Sequence, residues 1–248
     1  MDAAMRDWVV DQGNTRLKLG RFLDDGLAEV LVDAEAAACI HSETEVPDRI
    51  VVAASGQLDE GVRSRLETLG ARFLESRKEC GIGLDYATPD TLGWDRIANA
   101  AAVTAIDPEA VWVVVDAGTC ITVDVVSGGT FFGGSIAPGI DLRLRALYAG
   151  TAALPLVEGW RERIRDGEST WPEHVGTSTE GSLIAGAWGG ARSEIDGRIR
   201  EFGKRWPGLR VIWTGGDADY LHERESGSIF ADSNLTLRGY HAILKRLV

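Results

Sequence analysis

Two short runs in this chain repeat one arrangement of chemical groups. Val9-Val10-Asp11-Gln12-Gly13-Asn14-Thr15 returns as Val114-Val115-Asp116-Ala117-Gly118-Thr119-Cys120. In each, β-branched residues lead to an aspartate, a glycine stands two positions on, and residues with hydroxyl or amide side chains follow. That is the pattern of a strand, a tight hairpin and a returning strand. Glycine at such a corner lets backbone N–H groups come close to an anion, and Asn14, Thr15 and Thr119 add side-chain donors. A carboxylate at the strand end does not bind phosphate itself, but it holds a cation or its water shell against phosphate oxygens, as magnesium is held beside a nucleotide. Asp11 and Asp116 are therefore candidate cation-orienting acids, and Gly13 and Gly118 candidate close-approach positions. Asp-Gly and Asn-Gly turns are common in hairpins of no function. The repetition is what points to phosphoryl transfer by an enzyme of two related halves gripping a polyphosphate from both sides.

Transfer to an alcohol also needs a group that accepts the hydroxyl proton, commonly an aspartate. Gly93-Trp94-Asp95-Arg96 offers an acid beside a base where a loop enters a helix. The competing reading of Asp95 is a helix N-cap, a position aspartate favours. Thr214-Gly215-Gly216 follows an apolar, β-branched run and suits a third glycine turn against which adenine and ribose could lie. An ordinary strand-to-helix turn reads the same way.

The elements that must position these groups follow from hydrophobic periodicity. Strands are expected over Asp7–Asp11, Arg16–Phe22 and Ala28–Val32, then a helix Glu35–Ile40, a strand Arg49–Ala54, a helix Leu58–Leu69 and a strand Arg72–Glu75. Leu84–Leu92 reads as loop and leads into a helix Asp95–Ile106. The pattern then restarts with strands Val111–Asp116, Ile121–Val126 and Thr130–Ala137 and a helix after Pro138-Gly139. A helical stretch Thr179–Arg205 follows, containing glycines that would either interrupt it or let helices or subunits pack closely. A strand Arg210–Trp213 and a helix Leu237–Leu247 end the chain. Strand-strand-strand-helix thus occurs twice, which predicts an α/β protein of two duplicated ribonuclease-H-like domains, 1–108 and 109–248, around a central cleft.

Composition narrows the function. With 248 residues, of which 44% are hydrophobic, the chain can bury a substantial core, and no run approaches the roughly 20 apolar residues of a membrane span. The start of the chain lacks the pattern of a signal peptide, and three cysteines without a C-x-x-C pair fit reduced thiols, so a cytoplasmic location is expected. Four scattered histidines offer no zinc spacing. A net charge of −12 disfavours nucleic-acid partners and requires that any nucleotide be held by local donors and cations.

Taken in order, Asp11-x-Gly13-Asn14-Thr15, Tyr86-Ala87-Thr88-Pro89, Gly93-Trp94-Asp95-Arg96, Asp116-Ala117-Gly118-Thr119-Cys120-Ile121-Thr122-x-Asp124, Gly133-Gly134-Ser135-Ile136-Ala137-Pro138-Gly139, Gly176-Thr177-Ser178-Thr179 and Thr214-Gly215-Gly216 resemble the motifs of type III pantothenate kinases. The likeness spans nearly the whole chain and keeps the family's order and approximate spacing. It implies the actin-like ATPase fold, a homodimer, and phosphorylation of the primary hydroxyl of pantothenate by ATP, the first step of coenzyme A synthesis. It also implies magnesium with the nucleotide and a monovalent cation, potassium or ammonium. Carried over by position, Asp11, Gln12, Gly13, Asn14, Thr15, Arg16, Leu17 and Lys18 would form the first nucleotide loop. Thr119 would be a second ATP contact and Asp116 a ligand of the monovalent cation, while Asp11 would hold magnesium through water. Tyr86, Gly93, Trp94, Asp95, Arg96 and Thr179 would contact pantothenate, with Asp95 the general base. Pantothenate's carboxylate, hydroxyls and amides suit Arg96 as an anion partner and Tyr86 and Thr179 as hydrogen-bond partners. Trp94 replaces a residue that is more often small in the family, and Cys120 one that is often alanine. Two alternatives stay open: a kinase of the same fold acting on another small alcohol or a sugar, and a non-catalytic accessory or regulatory protein retaining the fold.

Overall fold

β-Branched residues crowd the start of the chain and pair in sequence order. In the computed structural model, which describes residues 4–13, 15–42, 46–165, 175–222 and 229–247, they form β1 (Arg6–Gln12), β2 (Leu17–Leu23) and β3 (Gly26–Val32). Next come α1 (Ala34–His41), β4 (Arg49–Ala54), α2 (Glu60–Thr68), β5 (Arg72–Phe73), the two-residue β6 (Gly83–Leu84) and α3 (Trp94–Ile106). The pattern restarts with β7 (Val111–Ala117), β8 (Cys120–Ser127), β9 (Thr130–Pro138), α4 (Ile140–Gly150) and α5 (Trp160–Arg165). Then follow α6 (Thr179–Ile184), α7 (Gly190–Arg205), β10 (Arg210–Thr214), α8 (Ala218–Leu221), β11 (Ile229–Ala231) and α9 (Leu235–Arg246). The chain divides into two units. The first comprises Met1–Glu109, Gly128–Phe131 and Asn234–Val248, and the second Ala110–Ser127 and Phe132–Ser233.

The first unit carries a sheet of order β3-β2-β1-β4-β5. Its first three strands are antiparallel, whereas β4 and β5 run parallel to β1, because α1 and α2 supply the crossovers a parallel pair needs. The second unit repeats this as β9-β8-β7-β10-β11, again with an antiparallel β7–β8 hairpin and with β10 and β11 parallel to β7. The duplication expected from the repeated motif is present strand for strand. In the first unit β6 pairs in parallel with the opening residues of β9, Gly83 opposite Thr130.

Each sheet buries its own core. Trp8, Val10, Leu19 and Val52 meet Ile40 of α1 and Leu66 of α2, while Val113, Val115, Val123 and Trp213 pack with Trp160, Leu183 and Trp188. The long helical stretch is continuous, as α6, a π-helical turn Ala185–Gly189 and α7. Gly186, Gly190 and Gly197 in it do not mark close packing inside the unit, for a Cβ on any of them would meet nothing within 4 Å. Back in the first unit α9 lies on α3, where Gly239 sits so near Ala98 O that a side chain there would overlap it, and the Thr236 hydroxyl bonds Asn99 at 2.9 Å.

Candidate active site

The first hairpin turns between Gln12 and Leu17, which are cross-strand partners, as are Asp11 and Lys18. Gly13 N–H closes the turn on Arg16 O at 3.0 Å, and the Gln12 amide donates to Gly13 O at 2.7 Å. Thr15 and Arg16 are exposed, Asp11, Gln12, Gly13 and Lys18 half-buried. Asn14 lies outside the described residues. Leu17 belongs to the core, and its backbone is occupied on both sides by Asp33, whose carboxylate accepts from Leu17 N–H at 3.0 Å while its own N–H donates to Leu17 O at 2.8 Å. Leu17 thus holds the hairpin rather than offering a free group.

A feature of this hairpin went unread in the sequence. The N–H groups of Ser55 and Gly56, just past β4, both donate to Gln12 O, at 2.9 and 3.2 Å. They are the first unit's counterpart of Gly216-Asp217 past β10, since Asp11 pairs with Ala53 as Asp116 pairs with Thr214, and the readable signal was a β-branched strand followed by Ser-Gly.

At the start of α3 three neighbours are sorted by burial. Trp94 and Arg96 are 3% and 6% exposed, whereas Asp95 between them is exposed. The N-cap of α3 is Gly93, so Asp95 is not the cap, and its Oδ1 accepts from Arg96 N–H at 2.8 Å. A Cβ on Gly93 would collide with that same oxygen, so glycine leaves room for the carboxylate. The Arg96 guanidinium lies 5.9 Å from the Tyr86 ring centroid and 5.2 Å from that of Phe131, and the two rings meet edge-on at 5.7 Å. Tyr86 and Arg96 are therefore brought together by a residue, Phe131, that lies distant in sequence. Trp94 is held from outside the motif, by Arg77, whose guanidinium lies 4.4 Å from the indole centroid and whose Nε donates to Leu92 O at 3.3 Å. Arg77 thus pins the chain on both sides of Gly93.

The second unit assembles its own set. Ala117 and Ile121 are partners across the second hairpin, which is one residue shorter than the first, and Gly118 N–H closes it on Cys120 O at 3.0 Å. Thr119 is exposed at its tip, and Thr119 O accepts from Gly139 N–H at 2.9 Å. Asp116 is opposite Thr214 in the β7–β10 pairing, so the third glycine turn lands directly beside the hairpin acid. Gly215 has φ +91°, and a Cβ there would overlap Ala117 O and come within 2.6 Å of Asp116 Oδ1. Only glycine fits this corner. Gly216 next to it is open. Thr179 is exposed as the first residue of α6, beside an open groove also lined by Leu154, Gly176, Ser178 and Ser182. The Ser178 side chain caps α6 by accepting from Gly181 N–H at 3.0 Å.

Among the described residues no three His, Cys, Asp or Glu side chains gather as metal ligands. Single carboxylates at strand ends, with Asp116 Oδ1 tucked against the Gly215 backbone, fit ions that complete their shells with phosphate oxygens and water. No helix among these residues is long and apolar enough to cross a membrane.

Comparison with known proteins identifies the family. The sequence profile of type III pantothenate kinases matches residues 8–201. A type III pantothenate kinase of Christiangramia forsetii is 32% identical over 244 residues, covering 96% of this chain and 97% of that protein. Among solved structures, a Baf family protein of Campylobacter jejuni superposes with a TM-score of 0.62 at 20% identity, over 96% of this chain and 97% of the other. The ROK hexokinase of Thermus thermophilus superposes with 0.52 at 17% identity, over 98% of each, and shares the actin-like fold. The chain belongs to the type III pantothenate kinase family, enzymes that phosphorylate pantothenate with ATP in coenzyme A biosynthesis.

Proposed function

We propose that Asp95 is the general base of this kinase. The pantothenate hydroxyl oxygen forms the new bond to the terminal phosphorus of ATP, the bond from that phosphorus to the bridging oxygen breaks, ADP leaves, and the hydroxyl proton passes to the Asp95 carboxylate. The observation that carries this reading is the sorting at the start of α3: an exposed acid, one oxygen of which is held by Arg96 N–H, on a backbone fixed by buried Trp94 and Arg96. Arg96 and Tyr86 supply charge and a hydroxyl toward pantothenate, as does Thr179 with its hydroxyl. Trp94, being buried against Arg77, contributes its backbone and its packing.

The phosphates are received by the two hairpins, through Gly13 with Asn14, Thr15, Arg16 and Lys18, and through Gly118 with Thr119, while Gly215 and Gly216 border adenosine. Asp11 orients magnesium through water, and Asp116 ligates potassium or ammonium. These ions would offset phosphate charge on a chain of net charge −12. The protein works in the cytoplasm as a homodimer. Apolar residues exposed on β9 and α4, Ile136, Leu142, Leu147 and Tyr148, support that assembly.

The test is ADP release by purified protein with and without pantothenate, for wild type and Asp95→Asn. Release should require pantothenate, and the variant should keep its unfolding midpoint while kcat falls by roughly 10²–10⁴-fold, the worth of a general base. Near-wild-type turnover in Asp95→Asn would remove the residue from that role.

A further inference from the structure

Arg161 of α5 belongs to none of the motifs, yet it ties together both ends of the second unit's nucleotide edge. Its Nε and Nη2 bond the two Asp217 oxygens at 2.7 and 3.0 Å, and Nη2 also bonds Asp141 Oδ2 at 2.7 Å. Trp160 Nε1 donates to the other Asp141 oxygen at 2.8 Å, and its ring lies 4.4 Å from the guanidinium carbon. Every oxygen of the two carboxylates is thus engaged, and Asp217 is 4% exposed. Burial pushes the Asp217 carboxyl above its ordinary range even though Arg161 opposes that shift.

The backbone closes this cluster into a ring. Asp217 follows Gly215-Gly216, and its N–H donates to Ala117 O at 2.9 Å, at the base of the second hairpin. Two residues on, Thr119 O accepts from Gly139 N–H at 2.9 Å. Gly139 is the N-cap of α4, two residues before Asp141, and presses so closely on the hairpin that a Cβ would overlap Gly118 O. The circuit runs from Ala117 through Thr119, Gly139, Asp141 and Arg161 to Asp217 and back to Ala117. Arg161 is the residue in this circuit whose side chain bonds both Asp141 of α4 and Asp217 at the β10–α8 turn.

We infer that Arg161 is a positioning residue for the nucleotide: it fixes the separation of the Thr119 hairpin and the Gly215–Gly216 turn, and so sets affinity for ATP without touching it. The inference rests on the reading above that these two segments bind ATP. A planar fork can satisfy two carboxylates at once, whereas a lysine ammonium in the same place is a point charge that cannot reproduce the geometry. A residue that merely stabilised the unit would leave the relative affinities for the two substrates unchanged.

The experiment uses the full chain and three readings: calorimetric affinity for a non-hydrolysable ATP analogue with magnesium, KM for pantothenate, and the urea unfolding midpoint. Arg161→Lys should unfold cooperatively, bind the analogue about tenfold more weakly, and keep its KM for pantothenate within about twofold, the loss lying below the roughly 10²-fold that a misplacement of about 1 Å can cost. Asp141→Asn, which leaves the Arg161–Asp217 fork in place, should move the same reading in the same direction by less, and it decides the matter if Arg161→Lys does not fold. Wild-type analogue affinity in whichever folded variant decides, or equal losses for both substrates, would overturn the inference. Wild-type protein that bound no analogue would instead sink the nucleotide reading beneath it, so the two failures are separable.

Discussion

Gly13 and Gly118 pose a question that Gly215 does not. At Gly215 the positive φ and the contact with Ala117 O demand glycine for the fold itself. At the two hairpins nothing among the described residues does: a Cβ would lie 3.6 Å from Arg16 O at Gly13 and 3.9 Å from Cys120 O at Gly118, ordinary contact distances, and neither residue has positive φ. If glycine is needed there, a ligand is the reason. Gly13→Ala and Gly118→Ala should therefore unfold at the wild-type urea concentration, within about 0.5 kcal/mol, as substitutions free of strain do. Their KM for ATP should rise about tenfold, because an added methyl group stands where phosphate oxygens approach backbone N–H groups. Steady-state kinetics at varied ATP check this, and an unchanged KM in both variants would mean that the hairpins are structural. Trp94 shows the reverse: a large residue inside a motif where a small one is commoner is buried, with the Arg77 guanidinium over its indole.

At the scale of elements, β1 must be rigid to hold Asp11 at its end, and its opposite end is anchored by charge. Asp7 is wholly buried, its carboxylate paired with Arg49 of β4 and bonded to His241 Nε2 of α9 at 2.8 Å, while His241 stacks on Phe22 at 4.0 Å. Burial pushes the Asp7 carboxyl up, but Arg49 and His241 together outweigh it and hold it below the ordinary value of 3.8. Burial pushes His241 below 6.5 more strongly than Asp7 raises it. Both groups bind protons more readily in the unfolded chain, so both give stability that is complete above the unfolded pKa and is lost as pH falls through the folded one. The histidine step begins near pH 6.5 and the aspartate step only below 3.8. His241→Gln should flatten the loss of stability between pH 7 and 5 while leaving the steeper loss below pH 4, as urea midpoints across that range would show. Identical pH profiles for variant and wild type would mean that His241 does not titrate in this window.

The same element scale shows what the sequence could disclose. The strands, both hairpins and the long helical stretch announce themselves through local alternation and periodicity, and the repeated motif exposed the duplicated sheet order. β6 and β11 did not, being two and three residues long, too short for alternation to register. Asp7 with His241 and Arg161 with Asp217 were invisible for another reason. Their partners lie 234 and 56 residues apart, and each residue alone reads as one more surface charge. Phe131, which joins Arg96 to Tyr86, hid in the same way, as an unremarked apolar residue in a strand.

For the molecule as a whole, net charge and surface must be reconciled with the proposed pairing of two copies. Two copies of a chain carrying −12 repel one another, so an interface between them has to be apolar and away from the acidic surface. Along β9 from Phe132 the side chains alternate, leaving Ile136 63% exposed, and α4 adds Tyr148 at 51%. Isolated exposed apolar residues need no explanation, but β9 and the helix that follows it, both in the second unit, each expose several large apolar groups of the kind that partners cover. If these groups lie in the dimer face, Ile136→Glu and Tyr148→Glu should each shift sedimentation from dimer to monomer while leaving the circular dichroism spectrum unchanged. Wild-type association should tighten as salt rises from about 0.01 to 0.15 M, because the Debye length falls from roughly 30 to 8 Å and screens the repulsion while the apolar contact persists. An Ile136→Glu protein that sediments as a dimer would place the interface elsewhere on the chain. Association that weakened with salt would mean that charge pairs, not apolar contacts, hold the copies together.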